Sequence, residues 1–163
     1  MPLRSPISQN RYDNLTRVLN EYGQYAMTTY QDSLIISQRI ASGDLLNTVS
    51  FEVEQNGESF EVSLNLMEYW KYIEYGTRPH YPPIQALMNW IQVKPILPRD
   101  NKITDVRNLA YAIQNKIGRY GTEGSHNLEE VLNSSQNEIW MQRIEEAFAD
   151  DILHDVEITF KEL

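Results

Sequence analysis

The first part of the chain carries apolar and small residues at alternating spacings of four and three. Such spacing is typical of one face of an α-helix, here sustained over about seven turns. The members of the series are Leu15, Leu19, Tyr22, Ala26, Thr29, Ser33, Ile36 and Ile40. We predict a helix over residues 10–42, preceded by an arm at 1–9 and ended by Gly43. Its length of about 45–50 Å suits either a strut that reaches a neighbour or a long core helix.

Two runs of alternating apolar and polar residues follow, and they predict a β-hairpin over residues 48–66. The apolar positions are Val49, Phe51, Val53, Phe60, Val62, Leu64 and Leu66. Asn56-Gly57 lies between the runs and is a strong signal for a two-residue turn. That turn places Val53 opposite Phe60 and collects all the apolar residues on one face.

The other face of the predicted hairpin is acidic. With the same turn, Glu52 lies opposite Glu61, and like charges directly opposite each other are mildly destabilising. A solvated hairpin would lose little stability from this arrangement. If the face packs on another surface, that surface should be basic, and residues 93–119 of an adjacent subunit are one candidate.

Residues 67–92 are rich in aromatic side chains and proline, and they predict two short helices joined by a stiff loop. The first helix ends at Gly76, and Pro82-Pro83 opens the second. The second helix ends near Pro95, because proline cannot continue a helix. Its inward positions are Ile84, Leu87, Met88 and Ile91.

The pattern after residue 103 predicts two more helices and a strand. Thr104 or Asp105 caps the first of these helices, and Gly118 closes it. The inward positions of this helix are Leu109, Ala112, Ile113 and Ile117. The inward positions of the next, which runs from about Ser135 to His154, are Trp140, Ile144, Ala147, Phe148 and Ile152. The last alternating positions, Val156, Ile158 and Phe160, predict a strand that pairs with the hairpin edge.

These elements together predict an α+β fold with a small antiparallel sheet, and the length of 163 residues favours a single domain over 1–163. The expected parts are an arm at 1–9, the long helix at 10–42, the hairpin at 48–66, short helices with proline-rich loops at 67–119, and a C-terminal helix with a possible strand at 134–162. The absence of cysteine excludes disulfides, thiolate zinc sites and cysteine nucleophiles. We expect no membrane segment or signal peptide, because no apolar run approaches the roughly 20 residues that a bilayer requires.

Charge is distributed unevenly along the chain. The 14 basic and 23 acidic residues give a net charge of −9, which argues against a free-standing DNA-binding module. Residues 93–119 carry a net +4, whereas residues 120–163 carry a net −9. One interpretation is ordinary solvated surface. The other is a molecule with unlike faces, which suits head-to-tail contacts between identical subunits and ring closure.

Motifs for catalysis are scarce. The sequence contains no phosphate-binding loop, no dinucleotide fingerprint and no G-x-S-x-G elbow. Asp150, Asp151 and His154 could form an acidic or metal-binding site of a small hydrolase. The partner ligands from a second helix are missing, so we expect no metal and no cofactor and rank this interpretation last.

The aromatic segment 69–90 suggests a non-catalytic binding module, either for carbohydrate or as a protein adaptor. Its aromatic residues are Tyr69, Trp70, Tyr72, Tyr75, Tyr81 and Trp90. Such a cluster is more often part of a core or the buried centre of an interface.

The stretch Tyr72–His80, with the sequence Tyr-Ile-Glu-Tyr-Gly-Thr-Arg-Pro-His, resembles a signature of tailed-bacteriophage head–tail joining and tail-completion proteins. In those families an aromatic-x-Glu-aromatic-Gly-Thr stretch follows a long N-terminal helix and a β-hairpin and precedes a proline-containing loop. Pro82–Trp90 and Leu109–Gly118 look like the longer version in phages of gut Bacteroidota, including crAss-like phages. The resemblance covers residues 10–120, while 93–103 is longer and richer in proline than in compact members, and 125–163 matches only in being a helix of suitable length.

The resemblance implies a structural virion protein that catalyses nothing. Such proteins form six- or twelve-fold homo-oligomeric rings below the portal and line part of the channel for genome ejection. The implied partners are other portal, neck or tail proteins and, transiently, the viral DNA. The implied location is the head–tail junction or tail of the virion, after synthesis in the host bacterial cytoplasm. An acidic channel would let DNA slide without sticking.

Two sets of residues are predicted to form subunit contacts. The first set joins the hairpin to the basic segment of a neighbour and consists of Glu52, Glu61, Arg99, Lys102 and Arg107. The second set lies at an inter-ring or inter-subunit contact and consists of Tyr72, Glu74, Tyr75, Gly76, Thr77, Arg78, Pro79 and His80.

Overall fold

The computed structural model of the protein describes residues 11–38, 43–94, 96–98 and 105–161, with the backbone alone for 155–161. Helices and short antiparallel strands confirm the predicted α+β class. The elements are α1 (Asp13–Ile36), α2 (Asp44–Thr48), β1 (Ser50–Asn56), β2 (Ser59–Asn65), α3 (Trp70–Tyr75), β3 (Gly76–Thr77), α4 (Ile84–Val93), α5 (Val106–Tyr120), β4 (Thr122–Glu123), α6 (Asn127–Leu132) and α7 (Gln136–Lys161). In these ranges no helix combines the length and apolar character that crossing a bilayer requires. The predicted arm at 1–9 lies outside the described residues.

The chain divides into two compact units. Unit 1 comprises the chain up to Thr28, Ser50–Asn65 and the chain from Val131, and unit 2 comprises Thr29–Val49 and Leu66–Glu130. Compactness alone does not show that a unit folds independently. The single-domain assignment of 1–163 therefore stays a prediction.

The core of unit 1 is built by the start of α1, the hairpin and α7. Tyr12, Leu15 and Leu19 are buried. The partly buried apolar side chains that pack against them are Val53, Phe60, Val62, Ile144 and Ile152. The ring of Tyr12 meets that of Phe60 edge-on with centroids 5.3 Å apart. The alternating residues of the hairpin therefore face a helix, as their period predicts.

Charged groups join α1 to α7 beside this core. The guanidinium of Arg143 lies over the ring of Trp140 at 4.3 Å and donates a hydrogen bond to Glu21. Arg17 donates a second hydrogen bond to Glu21, at 2.7 Å. The two arginines, Arg143 foremost, lower the pKa of Glu21. Both cations thus have acidic partners within unit 1.

The predicted hairpin is confirmed, but its register is not. The turn consists of Gly57-Glu58 instead of Asn56-Gly57. A positive φ of 67° at Gly57, the first loop residue, is the pattern of a type II′ turn. The strands are displaced by two residues from the predicted pairing, which preserves the faces because side chains alternate with a period of two.

The displaced register changes which acidic residues oppose each other. Glu52 lies opposite Ser63, and Glu61 lies opposite Glu54, so the predicted pairing of Glu52 with Glu61 is wrong. Apolar pairs move in the same way, and Val53 lies opposite Val62 instead of Phe60. A turn one residue later than predicted is enough to cause the shift.

Helix α1 is shorter than predicted, and its inward positions depart from the predicted ones after Ala26. It ends at Ile36, which is 81% exposed, and a turn follows in which Gln38 has a φ of 54°. Its 24 residues span about 36 Å rather than 45–50 Å. After Ala26 the buried positions are Tyr30 and Leu34. The inward stripe therefore advances by fours, and the predicted positions Thr29 and Ser33 are only half-buried.

The core of unit 2 is formed by α4 and α5. Its buried residues are Leu87 and Ile91 on α4 and Leu109 and Ala110 on α5. The predicted partners Ile84, Met88, Ile113 and Ile117 pack around them. Asp105, one of the two predicted caps, accepts the N–H of Arg107 at 3.3 Å. Thr104 lies outside the described residues, as does Pro95.

Two details of α5 differ from the prediction. Ala112 is exposed, and Ala110 occupies the inward position instead. The helix passes through Gly118 and ends at Tyr120, before Gly121 with a φ of 72°. Glycine suits position 118 because the ring of Tyr81 occupies the space into which a Cβ would project.

The predicted C-terminal strand over Val156, Ile158 and Phe160 is wrong, because α7 continues to Lys161. Three alternating residues are a short signal. No glycine or proline stands between His154 and Phe160 to stop the helix. Each further helical residue adds a backbone hydrogen bond without a new nucleation cost, so continuation is favoured. In the described part of the chain the hairpin sheet has two strands.

The observed register predicts the effect of single charge reversals on the hairpin. Glu54→Lys replaces a like-charge pair with an opposite-charge pair, so it should raise the free energy of unfolding by about 0.5 kcal/mol. Glu52→Lys is the matched control, because its partner is Ser63, and its effect should be smaller. Urea denaturation at low ionic strength and low protein concentration measures both. A larger gain for Glu52→Lys would contradict the observed register.

Candidate functional site

The tripeptide Tyr-Gly-Thr occurs twice, at 75–77 and at 120–122, and each copy lies at the C-terminal end of a helix. Gly76 and Gly121 have the same left-handed φ of 72°, with ψ of −167° and −156°. Thr77 lies opposite Thr122 in the ladder of β3 and β4, with their hydroxyl oxygens 3.0 Å apart. The ends of α3 and α5 are therefore joined by a miniature sheet, which we call the clasp.

Glycine is required at both corners of the clasp. A Cβ on Gly76 would collide with the carbonyl oxygen of Thr122. A Cβ on Gly121 would collide in the same way with the carbonyl oxygen of Thr77. The positive φ also disfavours any other residue there. Steric exclusion of a Cβ therefore explains why the signature Tyr72–His80 has glycine at position 76.

The glutamate of the signature fastens the clasp to α6. Glu74 is 1% exposed, and its two carboxylate oxygens accept the N–H groups of Leu128 and Glu129, each at 3.0 Å. These N–H groups belong to the first turn of α6, where they have no partner within the helix. The carbonyl of Glu74 accepts the N–H of His126 at 3.2 Å, and that of Ile73 accepts the N–H of Ser125 at 2.8 Å. Ile73 and Glu74 thus accept four hydrogen bonds from the N–H groups of residues 125–129, which fixes the backbone that leads into α6.

A buried polar group lies near Glu74. Tyr30 is fully buried, and its hydroxyl has no hydrogen-bond partner among the described residues. Burial raises the pKa of Tyr30 to about 12, and the negative charge of Glu74 acts in the same direction. Asn127, also buried, donates from its side chain to the hydroxyl of Ser37 at 2.9 Å. Burial and the neighbouring carboxylate thus both favour the neutral form of Tyr30.

The proline loop after the clasp lies along the end of α5. The N–H of His80 donates to the carbonyl of Ile117 at 3.4 Å, and the side chain of Gln114 donates to the carbonyl of Pro82 at 2.8 Å. Nδ1 of His80 lies 2.9 Å from the carbonyl oxygen of Arg78. These bonds fix the backbone of the loop, while the side chains of Arg78 and His80 stay exposed.

The residues of the signature divide into an inner and an outer group. Glu74 is buried, and Gly76 and Thr77 are half-buried in the clasp. The exposed members are Tyr72, Tyr75, Arg78, Pro79 and His80. The outer group could contact a partner without any change in the clasp.

The other predicted contact residues are less closely grouped. Glu52 and Glu61 are exposed on the hairpin of unit 1, whereas Arg107 is exposed on α5 of unit 2 with its guanidinium 5.9 Å from the centroid of the Tyr111 ring. Arg99 and Lys102 lie outside the described residues. The contact between these two groups in different subunits stays a prediction.

Asp151, the central acid of the suggested hydrolase site, has a structural role. Asp151 is 5% exposed and accepts three hydrogen bonds at the start of α1, from the N–H and side-chain amide of Asn14 and from the N–H of Leu15. Asp150 and His154 are exposed beside it. Across 11–38, 43–94, 96–98 and 105–154, no three acidic or histidine side chains are grouped as metal ligands would be.

Sequence reasoning missed the clasp itself. The available signal was the duplicated Tyr-Gly-Thr, which is flanked by Glu74 and Arg78 in one copy and by Arg119 and Glu123 in the other. The two copies carry opposite charges at matching positions. A three-residue duplication indicates two similar helix ends, but their pairing depends on the fold.

Removal of the Glu74 carboxylate should destabilise the protein. Glu74→Ala leaves two partly buried N–H groups of α6 without acceptors, which we expect to lower the free energy of unfolding by about 2–4 kcal/mol. Glu74→Gln keeps one acceptor oxygen and should lower it less. Glu123→Ala, on the exposed strand of the clasp, is the control and should change it by less than about 0.5 kcal/mol. Equal urea midpoints for Glu74→Ala and Glu123→Ala would contradict the anchoring role.

Tyr30→Phe should be neutral or stabilising at pH 7, because it removes a buried hydroxyl without a partner. The raised pKa also has a pH consequence. The folded state favours neutral Tyr30, so its contribution is complete below pH 10 and is lost as the pH rises from 10 to about 12. Thermal unfolding from pH 8 to 11.5 should show a shallower decline for Tyr30→Phe than for wild type. The exposed Tyr72→Phe should follow wild type, and a marked loss of stability for Tyr30→Phe at pH 7 would show that the hydroxyl is bonded.

Comparison of the chain with protein-family models, with curated proteins and with solved structures finds no match in any of the three.

Proposed function

We propose that the protein is a structural component of a tailed-bacteriophage virion, one subunit of the head–tail connector or tail-completion ring through which the genome passes. The observation that carries the proposal is the signature Tyr72–His80 together with the task of its characteristic residues. Glu74 anchors α6, Gly76 permits the turn, and Thr77 pairs across the clasp. Because each of these residues has a defined structural role, the signature supports the resemblance more strongly than sequence similarity alone does.

The charge of the two units supports a subunit that contacts copies of itself. Unit 1 carries 14 acidic and 5 basic residues, a net −9, whereas unit 2 carries 9 of each and is neutral. The entire net charge of the chain therefore resides in one unit. A strongly acidic surface suits a channel that DNA traverses without binding, because phosphates are repelled.

The proposal includes the surroundings of the ring. Its neighbours would be portal, neck or tail proteins of the same virion, and the protein would be made in the host cytoplasm before assembly. No catalytic step is assigned to it. The buried acids Glu74 and Asp151 support a non-catalytic role, since their carboxylate oxygens accept hydrogen bonds from backbone N–H groups.

A non-catalytic binding module is the second candidate, and exposed aromatic rings favour it. Tyr72, Tyr75 and Tyr81 are each about two-thirds exposed within the segment 69–90. Exposed rings of this kind could stack on a sugar or on a partner protein. Trp70 is less exposed and lies 6.0 Å from the ring of Tyr75, so the segment contains an aromatic pair.

Native mass spectrometry of the purified chain over a concentration series distinguishes the two candidates. The ring proposal predicts a discrete species of six or twelve subunits that dissociates at high salt, because contacts between exposed charges are screened. Negative-stain images of that species should show a central opening. A strict monomer at every concentration would contradict self-assembly and favour the binding module.

A further inference from the structure

The segments that enter and leave the clasp carry two exposed tyrosines and two exposed arginines. Tyr75 is 64% exposed and Tyr120 is 74% exposed, and each immediately precedes a corner glycine. Arg78 and Arg119 are exposed as well, and neither forms an ion pair with a described residue. We call these four residues the clasp surface.

The clasp surface is suited to recognition because its backbone is fixed. Paired strands, constrained glycines and the Glu74 anchor hold the four Cα positions, so only side chains need to become ordered on binding. Tyrosine and arginine are enriched at the energetic centres of protein interfaces. Four large exposed side chains of these two types are more than a solvated turn requires.

The hairpin of unit 1 presents the complementary charge. Glu52, Glu54 and Glu61 project from its solvent face, and all three are exposed. None of them forms an ion pair with a described residue, whereas Arg17 and Arg143 are bonded to Glu21. We call these three residues the hairpin glutamates. Glu54 and Glu61 directly oppose each other, so a cation placed between them would relieve repulsion.

We propose that the clasp surface of one copy docks on the hairpin glutamates of a second copy. The chemistry is arginine to carboxylate at the contact, with Tyr75 and Tyr120 supplying apolar area around it. The contact joins different surfaces of identical chains, so it propagates head to tail and closes into a ring where the rotation permits. It rests on the proposed function only in requiring that copies of the chain meet.

A nucleic acid is the less suitable occupant of the clasp surface. Two arginines without ionic partners among the described residues resemble a small phosphate-binding patch. The chain carries a net −9, however, and such a charge repels the phosphate backbone at long range. A second copy brings its own excess of carboxylates to the same arginines, so charge complementarity favours self-association.

Site-specific crosslinking tests the contact, because the chain contains no cysteine. One variant carries Ser59→Cys at the end of the hairpin, two residues from Glu61. The other carries Asn115→Cys on α5, one turn before Arg119, and is made with heavy nitrogen. A short bis-maleimide should link one light chain to one heavy chain, and mass spectrometry of the peptides should identify a link between positions 59 and 115. Ala149→Cys on the exposed side of α7 replaces Ser59→Cys in the control and should give only background.

Charge exchange then tests whether the named residues make the contact. In the Asn115→Cys chain, Arg78→Glu with Arg119→Glu should lower the crosslink yield about tenfold. In the Ser59→Cys chain, Glu54→Lys with Glu61→Lys should lower it similarly. Mixing the two reversed chains restores opposite charges and should restore the yield to within about twofold. Because all four positions are exposed, each variant should keep the circular dichroism spectrum of wild type.

The outcomes separate this contact from the proposed ring. A crosslink that shows the exchange pattern without a six- or twelve-subunit species would support the contact and contradict the ring. A discrete ring without the crosslink, or a yield insensitive to charge exchange, would overturn the contact and leave the ring proposal intact. Loss of duplex-DNA binding in the Arg78→Glu, Arg119→Glu chain, with no crosslink between the Ser59→Cys and Asn115→Cys chains that keep their native charges, would overturn it in favour of DNA.

Discussion

The hydrogen bonds from the first turn of α6 to the carboxylate of Glu74 are the interaction on which the organisation of unit 2 depends. An ionised carboxylate loses several kcal/mol of hydration when it is buried, so it must find donors. The first turn of a helix offers N–H groups that lack partners. Satisfying both needs at once fixes the end of α3 against the start of α6, and Gly76 then leads the chain directly into the paired strands of the clasp.

In unit 1 a buried carboxylate likewise accepts N–H groups from the first turn of a helix. Asp151 of α7 accepts the N–H groups at the start of α1, so both acids that are buried in the described part of the chain serve as helix anchors. This explains why Asp151, which suggests catalysis in the sequence, has oxygens already engaged by backbone donors. Recognition is left to exposed groups, and the proposed contact between copies rests on exposed tyrosines, arginines and glutamates.

The exposed charged groups are distributed unequally between the two units. Unit 1 holds the whole net charge of −9, while unit 2 is neutral yet displays two clasp arginines that have no ionic partner among the described residues. Within unit 1, Arg17 and Arg143 are already bonded to Glu21 and so do not neutralise the glutamates of the hairpin. Exposed opposite charges of this kind favour contact between molecules over contact with a phosphate backbone.

The sequence by itself determined the elements whose causes are local. Alternation decided which hairpin residues face the core, Asp105 capped α5, and Gly76 ended α3, because these signals act within a few residues. Only the tertiary structure decided what depends on distant partners. A two-residue slip of the hairpin keeps its faces, so periodicity could not choose the register. The pairing of Thr77 with Thr122 and the bonding of Glu74 to α6 join segments that lie more than 40 residues apart, and nothing local to either segment specifies its partner.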